Sequence, residues 1–439
     1  MGIFNREEDY NITSIPAEVI EKQKEEKKEN AYEFEENEAN FGPLLKFIQD
    51  DDITDIDWNG KDLWLTTTTN ERTKVIDIEI DEAFIRRFAQ RISNLNKSQF
   101  NKKEPVLEAE TEDLRISIIH NSRAVTGYSC CIRKTPPIAR ITARYALETN
   151  YCNEKILHLL ANCIKAHLNI IVCGEPKHGK TELAKYLSTF IPDEERAYFI
   201  EDVLEWHYPE LKPNADCVVV KVDEDFSYVD AIKTALKQNP RWMNITEARS
   251  DEVQYLIQGY STGISGIATL HTNDVRKVPN RMVNMVTESI DKERFENNVY
   301  EFVDCAVLVS IKIDSEGRRY REISQIGFFI NDEKNGNYCW LCYSNGKFVL
   351  DYLPESILEK FKAANIQNPF FNESIKEELE EEGYDSTYQH DENDNTDEET
   401  DEELDEDTKE EADEETEETD EDTEISDELR SVIFGGFDV

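Results

Sequence analysis

Hydrophobic residues follow two different periods in the first third of the chain. Between residues 53 and 65 they alternate with polar residues on both sides of Asn59–Gly60, which predicts a β-hairpin. Between Phe84 and Leu95 they recur every three or four residues, which predicts an amphipathic helix. Two further runs, Leu114–Ile119 and Tyr128–Ile132, predict strands. Together these patterns predict a small α+β domain over residues 39–135.

The middle of the chain has a different pattern. Leu168–Cys173 is a short apolar run of the kind found in buried parallel strands, and strand and helix patterns then alternate to about Phe329. Such alternation is typical of an α/β domain with a parallel sheet. We therefore predict a linker over residues 136–146, which begins with two prolines, and an α/β domain over residues 147–330.

The two ends of the chain are more polar. Residues 1–38 are charged without an apolar stripe and predict a solvated arm, whereas residues 331–373 predict a hairpin and a short helix. Residues 374–439 are predicted to be a disordered acidic tail, because positions 391–430 hold 25 Asp or Glu against two basic residues. The apolar end, Leu429–Val439, is compatible with either a frayed terminus or a docking peptide for a partner.

Charge and cysteine content narrow the class of function. The formal net charge is −46, which argues against broad nucleic-acid binding because a phosphate backbone needs a basic surface. Nine scattered cysteines are typical of reduced thiols in a cytosolic protein, and Cys339 and Cys342 are predicted to be ordinary strand positions. We see no signal peptide and no apolar stretch of about 20 residues. We therefore expect a cytoplasmic protein that reaches a membrane only through partners.

The residues after the Leu168–Cys173 run fit a phosphate-binding loop. Gly174–Thr181 matches the pattern G-x-x-x-x-G-K-[ST], with an apolar strand before it and a helix pattern after it. In such loops the backbone N–H groups hold phosphate oxygens, the lysine reaches the β- and γ-phosphates, and the hydroxyl binds Mg²⁺. The predicted nucleotide-binding residues of this segment are Gly174, Glu175, Pro176, Lys177, His178, Gly179, Lys180, Thr181 and Glu182.

A nucleotide-hydrolysing site also needs carboxylates to hold the metal and orient water. Glu201 and Glu247 each follow a strand-like run. Either one alone would more often be a cap or an ion pair, but beside a phosphate loop in one domain both are predicted to be catalytic. His271 follows the next strand and is predicted to sense the γ-phosphate or to act in coupling between subunits. The four predicted catalytic residues are therefore Lys180, Glu201, Glu247 and His271.

These pieces, in this order, resemble the type II/type IV secretion-system ATPase family, which includes the traffic ATPases of type IV secretion, conjugation and Flp/Tad pilus assembly. The resemblance extends over roughly residues 41–330. The matching segments are Phe199–Asp202 with Glu205 (acidic box), Asn239–Arg249 (atypical Walker B), Thr262–Asn273 (histidine box), and Arg115 and Arg133, which look like two family arginines of the N-terminal domain.

The resemblance implies a fold, cofactors and partners. It implies a hexameric ring with ATP and Mg²⁺ bound between an N-terminal domain and a RecA-like domain, where Arg115 and Arg133 approach the phosphates. It further implies that Glu201 polarises water and that Glu247, with Thr181, supports Mg²⁺. The implied partners are other copies of the chain and membrane platform or coupling proteins at the inner face of the cell membrane. Direct nucleic-acid binding is not expected.

The sequence departs from the family pattern at five positions, two of which are Arg241 and Trp242, where Pro-Asp-Arg would continue. Thr246 replaces the glycine before the Walker B glutamate, Asn244 interrupts an apolar strand, and Ile264 stands in the histidine box. These departures leave a second hypothesis open, in which the chain is a weakly catalytic nucleotide-binding switch or scaffold in the same machine. A third hypothesis, a RecA-like DNA motor, is disfavoured by the negative charge.

Overall fold

The computed structural model describes residues 35–76, 80–111, 113–287, 289–332, 334–349 and 352–384. Most of the predicted arm, and the predicted tail from residue 385 onward with its apolar end, lie outside the described residues. The chain divides into two compact units, Met1–Pro137 and Ile138–Val439. The finer domain limits predicted from the sequence remain predictions.

The first unit is built on a six-stranded antiparallel sheet in the order β3-β2-β1-β6-β5-β4. The predicted hairpin and both predicted strands are present. The pattern does not reveal β3, which is exposed throughout, or β4, which alternates acidic and apolar residues. The strands are β1 (Ile53–Trp58), β2 (Leu63–Thr67), β3 (Arg72–Lys74), β4 (Val106–Glu110), β5 (Leu114–Ile119) and β6 (Ser129–Lys134).

One long helix covers this sheet. The helices of the unit are α1 (Glu38–Phe41), α2 (Leu45–Ile48) and the predicted amphipathic helix α3 (Glu82–Leu95). The Asp81 side chain accepts a hydrogen bond from the backbone N–H of Phe84 at 2.6 Å, which caps the start of α3. The buried stripe Ile85, Phe88, Ala89 and Ile92 belongs to one hydrophobic core with the inward residues of β5 and β6.

The second unit is built on a nine-stranded sheet in the order β15-β14-β13-β12-β7-β11-β10-β8-β9. The six strands from β12 to β9 in this order are parallel, and the other three continue the sheet in antiparallel fashion. The strands are β7 (Ile170–Cys173), β8 (Ala197–Glu201), β9 (Cys217–Lys221), β10 (Trp242–Ile245), β11 (Ile267–Leu270), β12 (Cys305–Ile313), β13 (Arg319–Asp332), β14 (Gly336–Ser344) and β15 (Lys347–Phe348).

The hairpin predicted as an extension beyond residue 330 is part of this sheet. β13 and β14 pair along their length and join the parallel strands through β12. Cys339 and Cys342 lie in β14 with buried thiols, as predicted for strand positions. Burial raises the pKa of Cys342 to about 12, which keeps this thiol protonated.

Helices cover both faces of the sheet. Alternate residues of β7 enter two different cores, with Ile170 and Val172 in one and Ile171 and Cys173 in the other. The helices are α4 (Ala143–Glu148), α5 (Glu154–Lys165), α6 (Lys180–Ser188), α7 (Tyr208–Leu211), α8 (Tyr228–Ala235), α9 (Glu252–Tyr260), α10 (Val278–Val283), α11 (Lys292–Phe302), α12 (Glu355–Ala363) and α13 (Glu373–Glu381). No helix of the described residues is long and apolar enough to cross a membrane.

Two predictions from the sequence are wrong in part. Residues 374–381, assigned to the disordered tail, are helical in α13, because Ile375 and Leu379 lie one turn apart and are both buried in the core. The last four residues of the predicted linker are also helical, in α4. The two helices meet where the Glu378 carboxylate accepts the backbone N–H of Ala143 at 2.7 Å.

Candidate functional site

The predicted phosphate loop connects β7 to α6. Gly174 has φ +154°, and a Cβ added there would lie 2.7 Å from the carbonyl oxygen of Val309 in β12. Gly179, directly before α6, has φ +93°. Both positions therefore require glycine, one for lack of space and one for its left-handed backbone. The loop ends at the N-terminus of α6, where free N–H groups and the helix dipole favour an anion.

Lys180 lies in the first turn of α6 and is only 8% exposed. Its Nζ donates to the backbone oxygen of Glu175 at 3.3 Å and lies 3.1 Å from Nδ1 of His271. Burial lowers the pKa of Lys180 below its ordinary value, and the carboxylate of Glu247 opposes this shift. Sequence positions 91 residues apart thus meet directly at the mouth of the loop.

His271 joins this lysine to the Walker B glutamate. Its Nε2 lies 2.8 Å from Oε1 of Glu247. Burial, followed by the charge of Lys180, lowers the pKa of His271, so the neutral imidazole is favoured. Because an ammonium group can only donate, Nδ1 accepts from Lys180 and Nε2–H donates to Glu247. The carbonyl oxygen of Gly174 also lies 3.2 Å from Nδ1. The structure therefore brings together three of the four predicted catalytic residues.

Glu247 has a second cationic neighbour. Its Oε2 accepts from Nη2 of Arg249 at 2.7 Å, and Nη1 of the same guanidinium donates to Asp202 at 2.8 Å. The hydrogen bond to Glu247 is the main reason that the pKa of Arg249 is raised. Arg249 thus bridges the acidic box and the Walker B segment, with 54% of its side chain exposed.

Glu201, the fourth predicted catalytic residue, has a different environment. It is 1% exposed, and its Oε2 accepts the backbone N–H groups of Glu205 at 3.0 Å and Trp206 at 2.9 Å. Burial raises the pKa of Glu201 to about 8, although these two hydrogen bonds act in the opposite direction. The carboxyl group therefore caps the loop that follows β8, and its role toward water remains a prediction.

Arg115 and Arg133 lie directly opposite each other on β5 and β6 of the first unit. Asp55 of β1 and Glu110 of β4 are their outer partners in the same row of the sheet. Arg133 Nε donates to Asp55 at 3.1 Å. Two like charges placed opposite each other are unfavourable unless acids flank them, as they do here. The predicted approach of both arginines to a nucleotide remains a prediction.

Sequence reasoning missed the contacts that β12 and β13 make with the phosphate loop. Nδ1 of His178 lies 3.1 Å from the Val309 carbonyl oxygen of β12. Nη2 of Arg321, in β13, donates to the carbonyl oxygen of Lys177 at 3.3 Å. Burial lowers the pKa of Arg321 below its ordinary value. No local pattern reveals this contact, because 144 positions separate the two residues.

The site has the features that a nucleotide with Mg²⁺ needs. The loop is shaped by two obligatory glycines, and a buried ammonium group lies at its mouth. No group of three His, Cys, Asp or Glu side chains that could hold a metal exists among the described residues. In nucleotide-binding proteins Mg²⁺ is commonly held by one or two protein ligands and the phosphates of the substrate. Thr181 and Glu247 remain the predicted ligands.

Comparisons with known proteins place this geometry in context. A family model described as Type II/IV secretion system protein matches residues 38–311. An uncharacterized protein of Bacillus anthracis is 28% identical over 265 residues, which is 60% of this chain and 60% of that protein. The type IV secretion system protein VirB11 of Bartonella quintana is 30% identical over 150 residues, which is 33% of this chain and 42% of that protein. The chain thus spans less than two thirds of these relatives.

A solved structure shows the same fold. The X-ray structure of the Yersinia pseudotuberculosis ATPase DotB has a TM-score of 0.51 and 16% sequence identity, and the match covers 66% of this chain and 80% of that chain. The fold predicted from the sequence, a RecA-like α/β domain after a smaller α+β domain, is confirmed.

Proposed function

Because this chain belongs to the type II/IV secretion system protein family, we propose that it is an ATPase of a type IV secretion, conjugative transfer or pilus assembly machine. The contact series Lys180–His271–Glu247 carries this proposal. It joins the phosphate loop, the histidine box and the Walker B segment through two contacts of 3.1 and 2.8 Å. The match to the type IV secretion system protein VirB11 of Bartonella quintana supports the choice of machine.

The residues present divide the work of hydrolysis. The loop N–H groups and Lys180 bind the β- and γ-phosphates, for which Lys180 must leave the Nδ1 atom of His271. When bound, Mg²⁺ neutralises phosphate charge, with Thr181 and Glu247 as its protein ligands. His271, kept neutral, orients Glu247 through its Nε2–H. The family resemblance assigns the attacking water to Glu201, and ionisation above its raised pKa would make this carboxyl group a base.

The family relationship supports three finer proposals. The active form is a homohexamer, its place is the cytoplasmic face of the cell membrane, and it docks there through platform or coupling proteins of the machine. The net charge of −46 supports protein partners rather than direct nucleic-acid contact.

Phosphate release with Mg²⁺-ATP tests the proposed function. We expect turnover by the unchanged protein, and its loss in Lys180→Ala and Glu247→Gln. Lys102→Ala serves as a matched control, since this lysine is exposed in the first unit. A protein without turnover under all conditions, including an excess of its membrane partners, would contradict the proposal.

A second function, a nucleotide-binding switch, is favoured by one observation. Glu247 is occupied by both Arg249 and His271, which leaves it engaged before any metal arrives. Tight ATP binding that is lost in Lys180→Ala, without turnover in the unchanged protein, would support the switch instead of the motor.

A further inference from the structure

A tyrosine hydroxyl lies between Asp202 of the acidic box and Thr246 of the Walker B segment. The hydroxyl oxygen of Tyr228, in the first turn of α8, lies 3.1 Å from Oγ1 of Thr246 and 3.2 Å from Oδ1 of Asp202. It also accepts the backbone N–H of Asp202 at 3.1 Å. Burial raises the pKa of Tyr228, so the group stays protonated and can donate to the Asp202 carboxylate.

Asp202 connects the Tyr228 hydroxyl to the Walker B glutamate through a series of hydrogen bonds. Its Oδ1 accepts from Tyr228 and from the backbone N–H of Val203, and its Oδ2 accepts from Arg249. Arg249 in turn donates to Glu247. Both oxygens of Asp202 are therefore used, and only two side chains separate the tyrosine hydroxyl from Glu247.

Rigid elements hold both hydroxyl groups. The helix that carries Tyr228 begins with a complete capping box between Ser227 and Asp230, and the tyrosine ring packs on the core beneath the sheet. Thr246 is 7% exposed, and its N–H donates to the Ile200 carbonyl oxygen at 3.2 Å. Its Oγ1 lies 3.4 Å from the same oxygen, so the Thr246 hydroxyl proton has two acceptors, this carbonyl and the Tyr228 oxygen. A hydroxyl fixed in this way can position a neighbouring carboxylate instead of following it.

We propose that Tyr228 is a positioning residue for hydrolysis, which with Thr246 fixes Asp202 and, through Arg249, fixes Glu247. This inference rests on the proposed ATPase function. It also assigns a role to Thr246, one of the residues that depart from the family pattern. A glycine at this position would offer no hydroxyl group to Tyr228.

Tyr228→Phe removes only the hydroxyl. A net hydrogen bond contributes about 0.5–1.5 kcal/mol, so we expect kcat to fall roughly two- to tenfold. We expect the affinity for a fluorescent ATP analogue in EDTA to stay within twofold, because the phosphate loop binds nucleotide without Glu247. Tyr198→Phe is the matched control: this hydroxyl donates to Gln238 at 2.6 Å, remote from Asp202, and kcat should be unchanged.

Substitutions of Thr246 separate the hydroxyl from side-chain shape. Thr246→Val keeps the shape and should reproduce the loss in kcat, whereas Thr246→Ser keeps the hydroxyl and should retain most of the activity. Tyr228→Phe combined with Thr246→Val should cost less than the product of the two single losses, because both remove the same contact.

The outcomes distinguish this inference from the proposed function. Unchanged kcat in Tyr228→Phe, or a parallel fall of kcat and metal-free affinity, would overturn the positioning role. If the unchanged protein shows no turnover, the ATPase proposal fails. The positioning role of Tyr228 is then tested by the gain in ATP affinity on adding Mg²⁺. A smaller gain in Tyr228→Phe than in the unchanged protein supports the positioning of Glu247, and an equal gain refutes it.

Discussion

The ammonium group of Lys180 lies 3.1 Å from Nδ1 of His271, so the lysine that is predicted to bind phosphate contacts an imidazole. The Nε2 atom of the same ring contacts Glu247, so a movement of Lys180 toward phosphate changes the charge next to the Walker B carboxylate. We therefore expect the histidine to link nucleotide binding to the predicted metal-binding end of the site.

Removing the imidazole should separate binding from turnover. We expect His271→Ala to lower kcat about ten- to a hundredfold, because hydrogen bonds to two charged groups are lost. Metal-free ATP affinity should hold or improve, since Lys180 no longer leaves a partner. Steady-state kinetics beside equilibrium titration would check this, with His167→Gln as a control at the opposite end of the sheet. A loss of affinity equal to the loss in kcat would contradict the linking role.

The pH dependence of turnover should also report on His271. Its folded pKa lies below the ordinary 6.5, because of burial and the nearby charge of Lys180. The neutral form therefore persists as the pH falls to 6.5, and its contribution to activity and stability is lost only as the pH falls through the lower folded pKa. The acid limb of kcat against pH should disappear in His271→Ala. An identical limb in both proteins would assign it to another group.

The raised pKa of Glu201 predicts a pH dependence of stability that is opposite in sign to that of His271. Its folded pKa of about 8 is above its ordinary value of 4.5, so the folded protein keeps a proton that the unfolded chain has lost. Its contribution is present below pH 4.5 and is lost as the pH rises toward 8, with a slope of at most about 1.4 kcal/mol per pH unit. Thermal unfolding from pH 5 to 8 should show a weaker decline in Glu201→Gln. Parallel curves would show that the carboxyl group is ionised throughout.

Arg321 should affect nucleotide affinity from outside the family motifs. Arg321→Met keeps an unbranched side chain, although a shorter one, and removes the donor to the Lys177 carbonyl. We expect ATP affinity to weaken about three- to tenfold, because the loop loses a contact that fixes its shape. Arg318→Met is the control, since that side chain is 70% exposed and pairs with Asp314 instead. Equal affinities for both variants would show that the loop is rigid without Arg321.

Residues 369–372 should contribute to the stability of the second unit through their hydrogen bonds with Asn162. Its amide donates to the carbonyl oxygens of Pro369 and Phe371, at 2.8 Å each, and its oxygen accepts from Asn372 at 2.7 Å. Asn162→Ala should lower the free energy of unfolding by about 2–3 kcal/mol, since buried groups lose their partners. Urea denaturation would measure this against the exposed Asn284→Ala. A difference below about 0.5 kcal/mol would mean that water replaces the amide.

The sequence predicts local features of this protein better than distant ones. The hairpin at Asn59–Gly60, the phosphate loop and the strand at Leu114–Ile119 each follow from neighbouring residues and are present. Contacts such as Arg321 with Lys177 depend on the order of strands in the sheet, which no local pattern reveals. Helix α13 was missed for a different reason, because many acidic residues outweigh its buried pair of apolar side chains in any count of composition.

The role of Asn244 also depends on a neighbouring strand and could not be predicted from the local sequence. In the sequence it interrupts an apolar strand, but in the sheet its side-chain oxygen accepts the N–H of Ile267 at 3.0 Å. The amide thus takes over a ladder bond between β10 and β11, which have only Ile245 and Ala268 in register as strand partners. The oxygen of this residue, which departs from the family pattern, is thus satisfied by a neighbouring strand, whereas its buried Nδ2 has no hydrogen-bond partner among the described residues.

The match to the family ends at residue 311, inside β12, whereas the described chain continues to residue 384 through β13, β14, β15, α12 and α13. Recombination between relatives at the end of the matched region would therefore cut a strand that lies beside the phosphate-loop strand and would leave the Lys177 carbonyl without its arginine. A segment that is exchanged between relatives as one folding unit must therefore extend to residue 384. Chimaeras joined at residue 311 and at residue 384 should accordingly differ in whether they fold.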